Sequence, residues 1–251
     1  MVCGIGGANL YALDLYSTSV GADGTRDDYL FKQGTFESGI PVRNTNNTFV
    51  GKGYDWSETG WINLGDTQRL HGLSMISPLQ YWAATHNQPA TGSIANFFNG
   101  TSIVQATTTG GYINENSSDI YIGGFASALS NSSNIHISRI LDISSGNYIG
   151  QKGFGVGSQQ KSIDEQHEQK GQQIGTGEIT SLSTDLAAFT GVGGETLSGG
   201  QSGDSGSPFF YVDPITSQAA MVGTLSYGDD LDDSAGGPWY DSWNKSLLES
   251  W

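Results

Sequence analysis

The 251-residue chain has few of the features that mark disulfide scaffolds or membrane proteins. Its single cysteine, Cys3, cannot form an internal disulfide, so the sequence leaves the redox compartment open. No apolar run reaches 18 residues, and we therefore expect no membrane insertion. Residues 1–16 lack the basic start and the continuous apolar block of a signal peptide, so we expect any export signal to be missing from this sequence.

Positive charge is also scarce. Ten Lys and Arg residues stand against 25 Asp and Glu residues, which gives a net charge of −15 and a pI near 4.3. Such a surface repels phosphate backbones and anionic lipids, so nucleic acid is not an expected partner. Ser, Thr, Asn and Gly dominate the segments between the apolar runs, and this composition favours a secreted or cell-surface protein.

Glycine is abundant, with 37 residues, and it separates short apolar or alternating runs that are typical of β-strands. We predict an all-β fold, mostly antiparallel, arranged as a sandwich or barrel. The predicted strands lie in residues 73–77, 102–107, 119–125, 134–141, 208–212 and 220–227.

Two segments do not follow the strand pattern. Residues 161–173 are polar throughout and predict a solvated insert or a short helix. Residues 240–251 place Trp243, Leu247 and Trp251 four apart, which predicts a short C-terminal helix with one apolar stripe. No internal repeat and no long linker divides the chain, so we expect a single domain over residues 1–251.

The strongest local signal is the segment GDSGSP at residues 203–208, which an apolar run follows directly. A serine hydroxyl needs a neighbouring base to become a nucleophile, and the oxyanion that it generates needs fixed hydrogen-bond donors. Glycines on both sides of Ser205 allow a tight turn, in which the amides of Gly203 and Ser205 can point into one oxyanion hole. The alternative is an ordinary glycine-rich turn before a strand.

The base must be one of four histidines, and His86 has the most suitable setting, after an apolar run and among small residues. An orienting carboxylate is expected at the start of a strand, where Asp119 lies; Asp142 is the alternative. Of the other histidines, His71 lies in a polar stretch, His136 in an alternating run and His167 in the polar segment 161–173.

These residues resemble the chymotrypsin-like serine proteases, and among them the catalytic domain of the bacterial immunoglobulin-A-protease family, which includes the autotransporter serine proteases. The order His, Asp, Ser agrees with that fold, and KGFGVGS resembles the strand that enters the second barrel, which favours Asp119 over Asp142. The resemblance is carried by residues 75–87, 117–122, 200–210 and 221–228, and KGFGVGS lies at residues 152–158.

The resemblance implies a serine endopeptidase that acts on extracellular proteins or peptides without a cofactor or catalytic metal. Ser205 is then the nucleophile, His86 the base and acid, and Asp119 the residue that orients the imidazole. Gly203 and Ser205 provide the oxyanion hole. The implied substrate-binding residues are Gly199, at the floor of the primary specificity pocket, and Ser226, Tyr227 and Gly228, which pair with the substrate backbone.

The implied architecture is two six-stranded antiparallel β-barrels of chymotrypsin type with a short C-terminal helix. The N-terminal extension and first strands then occupy residues 1–60, the first barrel residues 61–148, and the second barrel with the C-terminal helix residues 149–251. Asn87 follows His86 where the trypsin-like branch has a cysteine, which agrees better with the bacterial branch.

Other interpretations stay open. The chain can instead be a noncatalytic β-rich binding or adhesin domain, including an inactive protease homologue. An esterase on an α/β fold is disfavoured because Ser207 replaces the final glycine of G-x-S-x-G and no βαβ alternation surrounds it. The acidic segments at residues 21–28 and 229–233 offer oxygen ligands for calcium, although neither has EF-hand spacing.

Overall fold

The computed structural model shows a protein made of two β-sheets. Among the residues that it describes there is no α-helix, and a short 3₁₀ helix spans Thr85–Asn87. No helix in this part of the chain is long and apolar enough to cross a membrane. The described residues are 20–36, 38–64, 69–113, 119–130, 133–137, 139–141, 148–159, 171–183, 186–190, 205–213, 215, 218–224, 227–229 and 234–237.

The first sheet is a closed antiparallel barrel of six strands in the order β1-β2-β3-β6-β5-β4, which β1 and β4 close by pairing. This confirms the all-β class and one of the two expected barrels. Its strands are β1 (Thr59–Leu64), β2 (Arg69–Ser77), β3 (Gln80–Ala84), β4 (Ile94–Phe98), β5 (Ile103–Ile113) and β6 (Ile120–Phe125).

The barrel divides its apolar residues between two cores, because successive side chains of a strand point to opposite faces. On β3, Tyr81 and Ala83 pack inside the barrel with residues such as Leu73 and Phe97. Trp82, between them, packs outside with Ile120 and Ile122 of β6. The outer face of β3 and β6 is therefore apolar and belongs to the contact with the rest of the protein.

The second sheet has seven strands in the order β11-β10-β7-β8-β9-β13-β12 and is not closed. The expectation of a second closed six-stranded barrel is therefore wrong for the described residues. The strands are β7 (Lys152–Gln159), β8 (Gly171–Ser183), β9 (Leu186–Thr190), β10 (Pro208–Val212), β11 (Ala219–Thr224), β12 (Tyr227–Asp229) and β13 (Ser234–Gly237).

The pairing of β13 explains why this sheet stays open. A strand has two hydrogen-bonding edges, and those of β13 are occupied by β9 on one side and by β12 on the other. Although β13 approaches β11, no free edge of β13 is left to pair with it. The three-residue strand β12 thus occupies the edge of β13 at which β11 would have to pair for the sheet to close.

Most predicted strands are present, with shifted ends, but the strand predicted at residues 134–141 is wrong. The described residues of this segment form only an isolated parallel bridge between Ile140 and Met221. Asn134, at its start, has a φ of 54°, which interrupts an extended strand. The end of the predicted polar insert, residues 171–173, begins β8. The predicted C-terminal helix at 240–251 lies outside the described residues.

The segment 20–58 joins the two sheets. The Leu30 amide donates to the Gln172 carbonyl at 2.9 Å, and the Ile174 amide donates to the Asp28 carbonyl at 2.8 Å, so the segment adds to β8. Near its end, Trp56 packs edge-on against Phe154 of β7 and Phe210 of β10. The core between the sheets is therefore built from three parts of the chain.

Candidate active site

The register of β3 with β6 brings His86 and Asp119 together. The last pair of this antiparallel ladder is Ala84 with Ile120. His86 lies two residues after Ala84, and Asp119 lies one residue before Ile120, so both emerge at the same end of the barrel. The apolar sequence of the two strands thus places a base and a carboxylate side by side.

The Asp119 carboxylate fixes both the backbone and the ring of His86. One carboxylate oxygen, Oδ1, accepts the His86 backbone amide at 3.0 Å. The other, Oδ2, forms a short hydrogen bond with His86 Nδ1. The Asp119 carbonyl also accepts the Thr85 amide at 3.2 Å. With Nδ1 donating to the carboxylate, Nε2 of the neutral ring is free to accept a proton.

Ser205 reaches this histidine from the second sheet, since it lies three residues before β10 begins at Pro208. The distance between His86 Nε2 and Ser205 Oγ is 2.7 Å, within hydrogen-bonding range. The structure therefore brings together His86, Asp119 and Ser205, three residues that are far apart in the sequence.

The turn after Ser205 packs directly on the barrel. Gly206 has a φ of +90°, a conformation that favours glycine. A β-carbon on Gly206 would lie 2.5 Å from the Gly72 carbonyl oxygen and 3.0 Å from the Ala84 amide nitrogen. Conversely, a β-carbon on Gly72 would collide with the hydroxyl of Ser207. Two glycines on opposite sheets thus let the serine turn approach the strand that leads to His86.

The pKa of His86 is raised above its ordinary value of 6.5, chiefly by the hydrogen bond to Asp119, and the negative charge of that carboxylate acts in the same direction. Partial burial opposes the shift by disfavouring the charged ring. The imidazole side chain remains 52% exposed and the Asp119 side chain 25% exposed. Asp119 therefore stabilises a protonated imidazole that solvent and substrate can still reach.

This arrangement can perform general-base-assisted nucleophilic attack. A hydroxyl lies within hydrogen-bonding distance of a neutral imidazole nitrogen, and a carboxylate orients the opposite nitrogen. Among the described residues, no three His, Cys, Asp or Glu side chains form a group that could hold a metal ion. The chemistry that these three residues support is acyl transfer through a serine ester.

Several predicted site residues lie outside the described part of the chain, namely Gly199, Gly203, Ser226 and the alternative carboxylate Asp142. Tyr227 and Gly228 lie on β12, where they pair with Gly236 and Ala235 of β13. Since β12 ends the sheet order, its other edge has no strand partner among the described residues.

The remaining histidines have other positions. His71 lies on β2 opposite Ile62, and the His136 amide donates to the Ser57 hydroxyl at 2.8 Å. His167 lies outside the described residues.

The sequence did not identify Asn87 as a functional residue. Its side-chain Nδ2 donates to the Ser205 carbonyl oxygen at 3.0 Å. Its position directly after His86 is the only sequence signal that could have drawn attention to it.

The acidic residues of segment 21–28 are engaged within the protein. Asp28 forms a two-point ion pair with Arg26, and Asp27 accepts a hydrogen bond from Thr48. Asp23 accepts hydrogen bonds from the Asn46 side chain and the Thr25 amide, and these bonds, with the nearby Lys32, lower its pKa to about 2. In the second acidic segment, residues 230–233 lie outside the described residues, and calcium binding at either segment stays a prediction.

No protein-family profile and no curated protein matches this chain. Among solved structures, it is similar to a Glu endopeptidase determined in complex with MPD, with a TM-score of 0.58 and 17% sequence identity. The match covers 78% of this chain and 90% of the endopeptidase. At this identity the similarity shows the fold alone: the chain shares the fold of this endopeptidase.

Proposed function

We propose that this protein is a serine endopeptidase that hydrolyses peptide bonds through Ser205, His86 and Asp119. The observation that carries the proposal is the continuous series of hydrogen bonds from the Asp119 carboxylate through the His86 ring to the Ser205 hydroxyl. The fold that the chain shares with a Glu endopeptidase supports it, and in this chain the three groups lie where the barrel meets the turn before β10. A protein or peptide is the corresponding substrate.

In the proposed reaction, Ser205 Oγ attacks the carbonyl carbon of the scissile peptide bond while His86 Nε2 takes the hydroxyl proton. The imidazolium, stabilised by Asp119, gives that proton to the leaving amine, and the carbon–nitrogen bond breaks. An ester on Ser205 remains. Water then attacks the ester, its proton passes to His86, and the same proton returns to Ser205 Oγ as the carboxylic acid product leaves.

The proposal extends to the groups that hold the substrate. The amides of Gly203 and Ser205 form the oxyanion hole, and Ser226, Tyr227 and Gly228 pair with the substrate backbone as an added strand. The open edge of β12 supports the second role. Gly199 and these three residues carry no charge, so the proposal does not include the glutamate preference in the name of the structural neighbour.

We further propose that the chain belongs with the bacterial immunoglobulin-A-protease type of catalytic domain and acts outside the cell. The motif residues around His86 and Ser205, and the low Lys and Arg content, support this assignment. A net charge of −15 suits a soluble enzyme that meets protein substrates rather than nucleic acid.

Hydrolysis of unfolded casein tests the proposal. The wild-type protein should release peptides, and Ser205→Ala or His86→Ala should lower the rate by about 10⁴-fold, because members of a triad act as a unit. His136→Ala is a matched control that removes another exposed histidine from the same half of the protein, and it should keep the wild-type rate. A folded wild-type protein that cleaves no peptide bond would instead indicate a noncatalytic binding domain.

A further inference from the structure

The proposed reaction depends on a hydrogen bond that crosses between two separately built sheets. His86 belongs to the closed barrel, whereas Ser205 belongs to the turn before β10 of the open sheet. A small shift of one sheet against the other would separate Nε2 from Oγ. Because misplacement of reacting groups by about 1 Å can cost about 100-fold in rate, contacts that fix the serine turn on the barrel matter for catalysis.

Close packing alone does not orient Ser205. The approach of Gly206 to Gly72 and Ala84 sets how near the turn lies to the barrel. These close approaches restrict how far the turn lies from the barrel, but they are not directional in the way that a hydrogen bond is. A directional contact is needed to set the angle at which the Ser205 side chain leaves the backbone.

Asn87 supplies such a contact. Its Nδ2 donates to the Ser205 carbonyl oxygen at 3.0 Å, while His86 Nε2 meets the hydroxyl of the same serine at 2.7 Å. The two side chains come from adjacent residues of one 3₁₀ turn, Thr85–Asn87. Ser205 is thus held at two points, its main chain and its side chain, by a single rigid piece of the barrel.

That rigid piece is itself anchored by the third member of the proposed triad. Asp119 accepts the His86 amide on its side chain and the Thr85 amide on its carbonyl. The turn that carries Asn87 therefore cannot rotate without breaking the contacts that orient the imidazole. Asn87 is half-buried, so its hydrogen bond is partly shielded from competing water.

We propose that Asn87 is a positioning residue, which holds the Ser205 peptide so that the hydroxyl faces His86 Nε2. The inference rests on the proposed function, since it assigns Asn87 a part in the same reaction. Asn87 touches neither the scissile bond nor the transferred proton in this scheme. It acts through Ser205, and its loss should lower the rate of attack rather than the binding of substrate.

Reaction with a fluorophosphonate tests this proposal when the rate and the final extent of labelling are recorded separately. Asn87→Leu keeps a similar volume without the donor, and Asn87→Asp keeps the shape while presenting a carboxylate oxygen to the Ser205 carbonyl. Both variants should label about 10- to 100-fold more slowly while reaching the wild-type extent. Peptide hydrolysis should show a lower kcat with little change in KM.

Asn99→Asp provides a matched control, because Asn99 Nδ2 donates to the Ser133 carbonyl at 2.7 Å, a bond of the same kind away from the candidate site. This variant keeps the Oδ1 atom that accepts the Thr101 and Ser102 amides. It should lower the unfolding temperature and leave the labelling rate unchanged. The positioning role would be overturned if the Asn87 variants label at the wild-type rate, including the case in which only their final extent of labelling falls. A wild-type protein that does not label at all would overturn the proposed function itself, together with this inference.

Discussion

The barrel and the second sheet are built in different ways. The barrel closes on itself, and its interior core of residues such as Leu73, Tyr81 and Phe97 comes from its own strands. The second sheet stays open, and the core against it includes Trp56 and Phe31 from the segment 20–58 and Trp82 from the outside of the barrel. The buried core of the barrel is thus formed by its own strands, whereas the core against the second sheet also uses side chains from the barrel and from segment 20–58.

This difference matters for the candidate site. The barrel carries the histidine and the aspartate on the ends of two paired strands, so their mutual geometry follows from one ladder. Ser205 comes from the open sheet, and its distance from His86 depends on the packing between the halves. The contact between His86 and Asp119 should therefore tolerate disturbance better than the contact between His86 and Ser205.

The largest expected effect comes from a change confined to the barrel half of the site. Asp119→Asn should lower the rate of casein hydrolysis by about 10⁴-fold, because the amide no longer selects the tautomer in which Nε2 accepts a proton. The fold should persist, as judged by circular dichroism. Asp142→Asn serves as the comparison and should have little effect. If Asp142→Asn is the variant that loses activity, the assignment of Asp119 is wrong.

The next largest effect compares the two cores directly. Phe97→Ala removes a ring from inside the barrel, and Trp56→Ala removes one from between the sheets; each should cost about 3–5 kcal/mol of unfolding free energy. Only Trp56→Ala should also slow fluorophosphonate labelling per folded molecule, since Trp56 packs on Phe210, next to the serine turn. Equal labelling rates in both variants would contradict the dependence of the serine on the packing between the sheets.

The smallest effect concerns pH. Because Asp119 raises the pKa of His86 above 6.5, the neutral base is lost as the pH falls through that raised value. The labelling rate of the wild-type protein should therefore fall on the acid side, with a midpoint above 6.5. Asp119→Asn should move the midpoint to lower pH because it removes the group that stabilises the imidazolium. A midpoint that stays in place would show that Asp119 does not act on His86.

The sequence predicted the features that depend on short patterns. Alternating and apolar runs predicted the all-β class and three of the six barrel strands, β2, β5 and β6, but not β1, β3 or β4. The small or strand-starting residues around His86 and Asp119 marked both positions. The flanking residues Gly203 and Gly206 indicated Ser205 as the candidate nucleophile. The structure brings these three residues together, and their roles in catalysis stay a proposal.

Features that depend on contacts between distant segments could not be predicted. Asn87 looks like any polar turn residue until the serine carbonyl is placed 3.0 Å from its amide. The second sheet is open because β13 pairs with β9 on one edge and with β12 on the other, and no local sequence pattern predicts this pairing. The role of segment 20–58 in the core between the barrel and the second sheet likewise depends on contacts that its aromatic residues make with side chains of both.

The most direct test of the central claim is to find which residue a fluorophosphonate modifies. After digestion of the labelled wild-type protein, the added mass should lie on Ser205 alone, and Ser205→Ala and His86→Ala should remain unlabelled under the same conditions. Labelling of a different residue, or labelling of Ser205 that persists unchanged in His86→Ala, would contradict the claim that the histidine activates this serine.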